Sequence, residues 1–475
     1  MMNPQQQSTK KIKYMYVLAA ALFSVAAWFS IGFRHGDEHF QIFEFAGYLL
    51  GWNQASDMAW EFHQHMRPTL QPILTAAGIK ALQALGITNP FTQAFVFKWC
   101  GAMLLFYSIT RFLFAVQLQR NINAIAYLFL FCITPYIAAR YSSEGLSASM
   151  LLLLAAQLWN AQHAKHFFIA GIFAGLAFAF RFQTAFALVG TVVWYLLNRK
   201  FKTQEVLAYA FGFMLLFGVS TLCDRYFYGQ WVMAPYAYFY QNIVLNKASN
   251  YGTDPWYYYL LHLVEDGMWL PGMLVFIAIL IYTFRYPKSI IVWMGWLFLF
   301  GHMAVAHKET RFLYPVMVFI PYAVFVVMQG FLKNRFGTWL EKLLWIANIM
   351  LLLPHVFLPA SQEISLLKFL EQKYPHQQFT IYYQGQNNPY EDFGLRNKYY
   401  GRKQPVFINQ DSMQTDPIIQ PAVWISFRCN ESGKTIGKYK LKRIYQTYPE
   451  WITDKANFFN WTNRASVLTI YTLEE

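Results

Sequence analysis

The sequence predicts a mainly α-helical, polytopic membrane protein of about eleven transmembrane helices, followed by a small α/β domain on the non-cytoplasmic side. Three observations predict it. Residues are 56% hydrophobic and only 13% charged, against roughly 25% charged in an ordinary soluble domain. Apolar runs long enough to enter a bilayer recur along the first 359 residues. The cations between those runs fall on alternate sides of them.

The first run follows the basic flank Lys10, Lys11 and Lys13 and extends to Phe33. A signal peptide is the competing reading, but no small-residue cleavage signal with a soluble domain behind it is visible, so an uncleaved first span is expected. Further runs lie near 91–116, 122–139, 145–160, 166–180, 183–198, 205–222, 268–284, 289–305, 312–331 and 339–358. With the N-terminus in the cytoplasm, thirteen Lys and Arg fall inside, opposed only by Glu205 and Glu341. The formal charge of +14 is therefore a topology signal. No continuous basic stripe is present, so no nucleic-acid partner is expected. Cys100, Cys132, Cys223 and Cys429 form no CxxC, which gives neither a zinc site nor a disulfide framework.

An odd number of spans exports the C-terminal portion, where FTIYYQ, PVFIN, AVWISF and SVLTIY read as strands and EISLLKFLEQKY as a helix. The expected division is a transmembrane catalytic domain over 1–359, with large outer loops 34–90 and 224–267, and an extracytoplasmic α/β domain over 360–475.

On this topology the ionisable clusters beside the spans share the outer face: 34–44, 60–68, 140–144, 181–183, 224–229 and 307–312. Charge at membrane depth is expensive and marks pathways, pairs or sites. Singly, each has a plainer reading: Arg140 and Glu144, like His307 and Arg311, sit four apart and could form an interfacial ion pair or cap a span. Six on one face favour function.

Asp37, Gln41 and Glu44 recur at helical spacing in the first outer loop, with His35, Glu38 and His39 alongside. A carboxylate there can take a proton from a hydroxyl. His307, Lys308 and Arg311 in HKETRF supply charge for an anionic leaving group. A base on one loop and a phosphate clamp on another describe group transfer from a phosphate-bearing donor to a hydroxyl. No Walker loop or GxGxxG turn points to a nucleotide donor. No cofactor is expected, and a metal only weakly, since Asp37-Glu38 is not a DxD and the histidines lack HExxH spacing.

These residues resemble the family 22 glycosyltransferases, the polyprenol-phosphate-mannose-dependent α-mannosyltransferases of lipid-linked oligosaccharide and GPI-anchor assembly. His35-Gly36-Asp37-Glu38-His39-Phe40-Gln41, then Glu44, looks like the family's first-loop His-Pro-Asp-Glu pattern. Ala59-Trp60-Glu61-Phe62 with Arg67 and Pro68 is similar to its Thr-Trp-Glu-aromatic, Arg-Ser pattern. Arg140 to Glu144, the Asp224-Arg225-Tyr226-Phe227-Tyr228-Gly229 segment and Pro255-Trp256-Tyr257-Tyr258-Tyr259 resemble later motifs. His307-Lys308-Glu309-Thr310-Arg311-Phe312 matches the His-Lys-Glu-x-Arg-Phe signature in order and position. Gly36, Pro68 and Arg181-Phe182-Gln183 depart from the pattern, and about 115 C-terminal residues have no recognised counterpart.

The resemblance implies a C-type glycosyltransferase fold and an inverting transfer of mannose, or a related hexose, from a polyprenyl-phosphate donor to a glycan or glycolipid acceptor. It implies Asp37 as base with Glu38 as orienter or alternative, and Lys308 and Arg311 on the departing phosphate, helped by His307 and by Arg140 or Arg225. His35, Gln41, Glu44, Trp60, Glu61, Arg67, Glu144, Asp224, Tyr228, Trp256 and Glu309 are the expected substrate contacts, although any single Trp or Tyr also suits the membrane interface. The rivals are a lipid-glycan transporter or flippase, and a transferase of the same fold with another sugar or a lipid A or protein acceptor. A transporter should line both halves of the membrane and often shows repeat symmetry, which is not detected. A bacterial inner membrane with a periplasmic C-terminus is expected, while the sequons at Asn430 and Asn460 keep an endoplasmic-reticulum reading open.

Overall fold

A computed structural model describes residues 4–332, 334–375, 379–383, 391–392, 395–401, 406–409, 421–426, 433–436, 439–455, 457, 462 and 467–474. Cys429 and both sequon asparagines lie outside the described residues. The chain is a mainly α-helical, multi-pass membrane protein. Every apolar run carries helix, including Pro4–Phe29, Pro90–Ala115, Thr203–Tyr228 and Arg335–Phe357, which are long and apolar enough to cross a bilayer singly. The other runs form shorter apolar helices, and two of them are broken.

The breaks have local causes. The run 122–139 divides into Ile122–Leu130 and Ile133–Ala138, and the buried Asn348 amide closes the gap: its Oδ1 accepts from Cys132 N (2.6 Å) and its Nδ2 donates to Leu130 O (2.9 Å). Irregular backbone at membrane depth survives only where protein groups satisfy it. The run 312–331 bends by 62° between Thr310–Met317 and Ile320–Phe331, with Pro315 starting the helix Tyr314–Met317 and Pro321 in the first turn of the second half. Elsewhere small residues bring backbones together. A Cβ on Gly171 would lie 2.1 Å from Tyr209 O, and one on Gly212 would lie 2.2 Å from Phe168 O, so Ala164–Phe180 and Thr203–Tyr228 meet at backbone distance.

The chain forms two compact units. The first comprises 1–29, 60–78 and 95–358; the second joins 359–475 to the loop segments 30–59 and 79–94. The first unit ends at Leu358, and the second takes in two stretches of the N-terminal third of the chain as well as the C-terminal portion.

In the second unit, β1 (Thr380–Tyr383) pairs in parallel with β4 (Val406–Asn409) and β5 (Ala422–Ser426). Antiparallel β8 (Thr469–Leu473), β7 (Tyr439–Gln446) and β6 (Gly433–Ile436) complete the order β4-β1-β5-β8-β7-β6. Glu391–Asp392 (β2) and Leu395–Arg396 (β3) form a separate ribbon. The helix Gln362–Lys373, capped by Ser361, stacks Phe369 on Tyr445 of β7 at 4.6 Å. Four strands lie where the sequence predicts them. The β6–β7 hairpin was not anticipated, because around buried Leu441 it is dominated by cations such as Lys440 and Lys442.

Candidate active site

The acidic segment of the first loop belongs to the second unit. Residues 36–50 form one helical stretch whose middle, Phe40–Glu44, is a π-turn, a wider i→i+5 register found often at functional sites. Before that turn the α register holds: Gln41 Nε2 donates to Asp37 Oδ1 at 2.8 Å. His35 Nδ1 accepts from Asp37 N (3.2 Å) and caps the helix start. The Asp37 side chain stays 32% exposed. Glu38 is buried, and its Oε2 accepts from Arg34 N at 3.1 Å. Asp37 is therefore the more accessible of the two candidate bases.

Helical spacing placed Glu44 on the Asp37 stripe, and the π-turn moves it off. Five residues apart now means one above the other, so Glu44 Oε1 meets His39 Nε2 at 2.7 Å, with both side chains buried. Glu44 also accepts from Asn53 Nδ2 (2.7 Å) and Tyr399 N (2.8 Å). These contacts are those of a scaffold carboxylate.

The basic cluster belongs to the first unit, in and around residues 307–312. Glu309 takes a forked contact from Arg311, Nε to Oε2 and Nη2 to Oε1 (3.0 Å), and pairs with His307 Nε2 at 3.0 Å. Arg311 Nη1 also lies 3.5 Å from Glu144 Oε1, which accepts from Arg181 Nη1 at 2.7 Å. Arg140, buried, donates to Tyr136 Oη (2.9 Å) and stacks on the Tyr136 and Tyr314 rings. Sequence reasoning placed Arg181 in a polar cluster without a role. Its signal is a lone arginine between two apolar runs. Arg181 is buried, and among the described residues its Nε and Nη2 have no hydrogen-bond partner.

Other expected contacts sort differently. Lys308 is buried and gives its ammonium to the carbonyls of Asp254 (2.9 Å), Val305 (2.6 Å) and Ala306 (3.3 Å), so it ties the loop instead of offering its charge outward. Burial also holds that ammonium below its usual range. Asp224 accepts from Thr69 N (3.1 Å) and Oγ1 (2.6 Å) at the start of helix Leu70–Ala84, which makes it a cap. Tyr228 Oη donates to Arg67 O (2.9 Å), and Arg67 pairs with Glu61 at 3.1 Å. Arg225 stacks over Trp231 at 5.9 Å. Trp60 joins the 307–312 loop indirectly: its Nε1 donates to Tyr251 Oη, and the Tyr251 ring lies 6.0 Å from His307. Trp256 is 63% exposed, as befits an interfacial anchor.

Beside the cluster is a cavity of about 400 Å³. Tyr136, Thr310, Tyr314, Asp266 and His355 give it polar walls, and Ile133, Val275, Met317, Leu344 and Leu351 apolar ones. A polar headgroup with an apolar tail suits such a lining. Among the described residues no group of three or more His, Cys, Asp or Glu is placed to hold a metal ion.

The sequence pattern of the Alg9-like mannosyltransferases matches residues 13–382. The chain belongs to that family. The GPI mannosyltransferase 3 of Candida albicans is 24% identical over 336 residues, 69% of this chain and 66% of the relative. The GPI alpha-1,2-mannosyltransferase 3 of Homo sapiens is 24% identical over 334 residues, 67% of this chain and 57% of its own. The matched stretches thus span less than two thirds of these relatives. Among solved structures, ArnT from Cupriavidus metallidurans bound to undecaprenyl phosphate superposes with a TM-score of 0.53 at 12% identity, covering 96% of this chain and 97% of that one. At that identity the likeness shows a shared fold alone.

Proposed function

We propose that this Alg9-like family member is an inverting glycosyltransferase that moves mannose, or a related hexose, from a polyprenyl-phosphate carrier to a hydroxyl of a membrane-associated or exported glycan. The observation that carries the reading is the buried arginine cluster around Glu144, Arg140, Arg181 and Arg311, in which, among the described residues, Arg181 Nε and Nη2 have no hydrogen-bond partner. Buried guanidinium N–H groups without an acceptor are costly and are relieved by an anion. The adjoining cavity offers apolar walls for the tail that such an anion would bring. The names of the relatives support the donor class: one from Schizosaccharomyces pombe, 29% identical over 175 residues, is a probable Dol-P-Man-dependent alpha-1,6-mannosyltransferase.

In this mechanism Asp37 takes the acceptor hydroxyl proton as the oxygen attacks the anomeric carbon from the face opposite the phosphate. The carbon–phosphate oxygen bond breaks, and polyprenyl phosphate departs with the electron pair onto the arginine cluster. One base suffices for inversion; retention would need a carboxylate nucleophile. The basic balance of the loops supports a cytoplasmic N-terminus and a non-cytoplasmic site, and the few cysteines are compatible with a bacterial inner membrane.

The test is transfer of radiolabelled mannose from polyprenyl-phosphate mannose into the lipid glycans of the host membrane, comparing wild type with Asp37→Asn, with and without a chelator. Label transferred by wild type alone supports the reading. Equal transfer by Asp37→Asn removes Asp37 from the mechanism, and loss of transfer with chelator would require a metal.

A further inference from the structure

The acidic loop has little to hold it in shape by itself. Asp37 sits on a single α-helical turn that runs into a π-turn, and isolated helices this short are marginal. Gln41 donates to the Asp37 carboxylate, and the turn that carries Gln41 also carries the buried His39–Glu44 pair. That pair is completed from far along the chain. Tyr400 stacks on the His39 ring at 5.4 Å with planes 19° apart, and Phe33 stacks at 4.7 Å and 15°. The Tyr399 backbone N–H donates to Glu44 Oε1 at 2.8 Å, the Tyr399 ring lies 4.6 Å from Phe43, and its hydroxyl donates to Pro90 O at 3.1 Å. Lys398 Nζ closes a 2.6 Å ion pair on Asp57. Asn397 Oδ1, accepting from Tyr400 N at 3.2 Å, fixes the turn.

We propose that the turn Asn397–Tyr400 is a positioning clasp for the loop that carries Asp37, so that the C-terminal domain acts on catalysis through His39 and Glu44. These four residues lie beyond the stretch 13–382 matched by the family pattern, so the clasp is a feature of this chain's own C-terminal portion. The inference rests on Asp37 as base. Tyr399 and Tyr400 touch no reacting atom in this scheme; they are positioning residues. Small displacements of a positioned group cost up to about a hundredfold in rate.

The test uses the full chain in lipid nanodiscs, with polyprenyl-phosphate mannose as donor and host-membrane lipid glycans as acceptor. For Tyr400→Ala we expect kcat to fall between about tenfold and a hundredfold with donor KM unchanged, and amide exchange in residues 36–44 to quicken. Tyr400→Phe keeps the ring and restores both. Lys398→Met, which leaves the stacked rings in place, gives a smaller change in the same direction. Wild-type kcat and exchange in Tyr400→Ala would overturn the clasp, as would a loss of kcat and donor affinity together that Tyr400→Phe does not rescue. If Asp37→Asn transfers mannose normally, the base reading fails instead, while exchange in 36–44 still decides whether the turn holds the loop.

Discussion

The acidic segment 34–44 and the basic segment 307–312 are comparably short and comparably rich in ionisable groups, yet they resolve their charge in opposite ways. In the first, the buried carboxylate Glu44 meets an imidazole and two N–H donors, and the more exposed Asp37 accepts from the Gln41 amide within its own helix. Around the second, the Arg311 and Arg181 guanidinium groups gather on Glu309 and Glu144, and part of the Arg181 fork has no protein partner among the described residues. Complete local satisfaction marks scaffold; residual charge marks where a ligand belongs.

The comparison is broken most directly at Asp37. Asp37→Asn should lower kcat by about 10²–10⁴-fold with insertion and donor binding retained, measured as mannose transfer and as binding of the donor to purified protein. A near-normal rate would leave the acidic loop structural throughout.

Next in size is the Arg181–Glu144 pair. Arg181→Ala leaves a buried carboxylate short of a partner and should destabilise the protein by about 3 kcal/mol or more, with weaker donor binding, read by thermal unfolding in detergent and by donor KM. The double variant Arg181→Met/Glu144→Leu should recover much of the stability but not the donor affinity. Recovery of both would assign the pair to structure alone.

Glu44→Gln should reduce stability by about 1–3 kcal/mol through the weakened bonds to His39 and Tyr399 N, and lower kcat without changing donor KM. A raised donor KM would return Glu44 to the substrate.

The smallest effect is expected at Asp57. Lys398 holds the Asp57 carboxyl below its usual range, chiefly through their hydrogen bond. Because the folded-state value is the depressed one, the pair stabilises above the unfolded pKa of about 3.9 and loses that contribution as pH falls through the folded value. Lys398→Met should therefore lower the melting temperature slightly near neutral pH, consistent with about 0.2–1 kcal/mol for a partly exposed pair, and the difference from wild type should vanish in strong acid.

Much of this was legible in the sequence, for identifiable reasons. Hydrophobic runs report spans because the bilayer imposes a length, and the one-sided placement of HGDE, HKETR and the neighbouring clusters reports a site because charge near lipid needs a purpose. The protein partners of Glu44 and Lys308 were not legible in the sequence: helical spacing does not reveal a π-turn, and a charged motif does not reveal the carbonyls that will gather round its lysine. Arg181 lay in view without a role, because its partner Glu144 is 37 residues away and no spacing rule joins them.

By itself, then, the sequence determined the membrane architecture, the kind of residues at the site and the α/β character of the C-terminal portion, all properties of local pattern and of solvent. Tertiary structure alone decided which charges cancel. Whether Glu44 meets Tyr399, 355 residues away, or Asp224 meets Thr69, 155 residues away, depends on the packing of distant segments. At low dielectric that packing turns an ionisable residue into a brace or leaves it free to act.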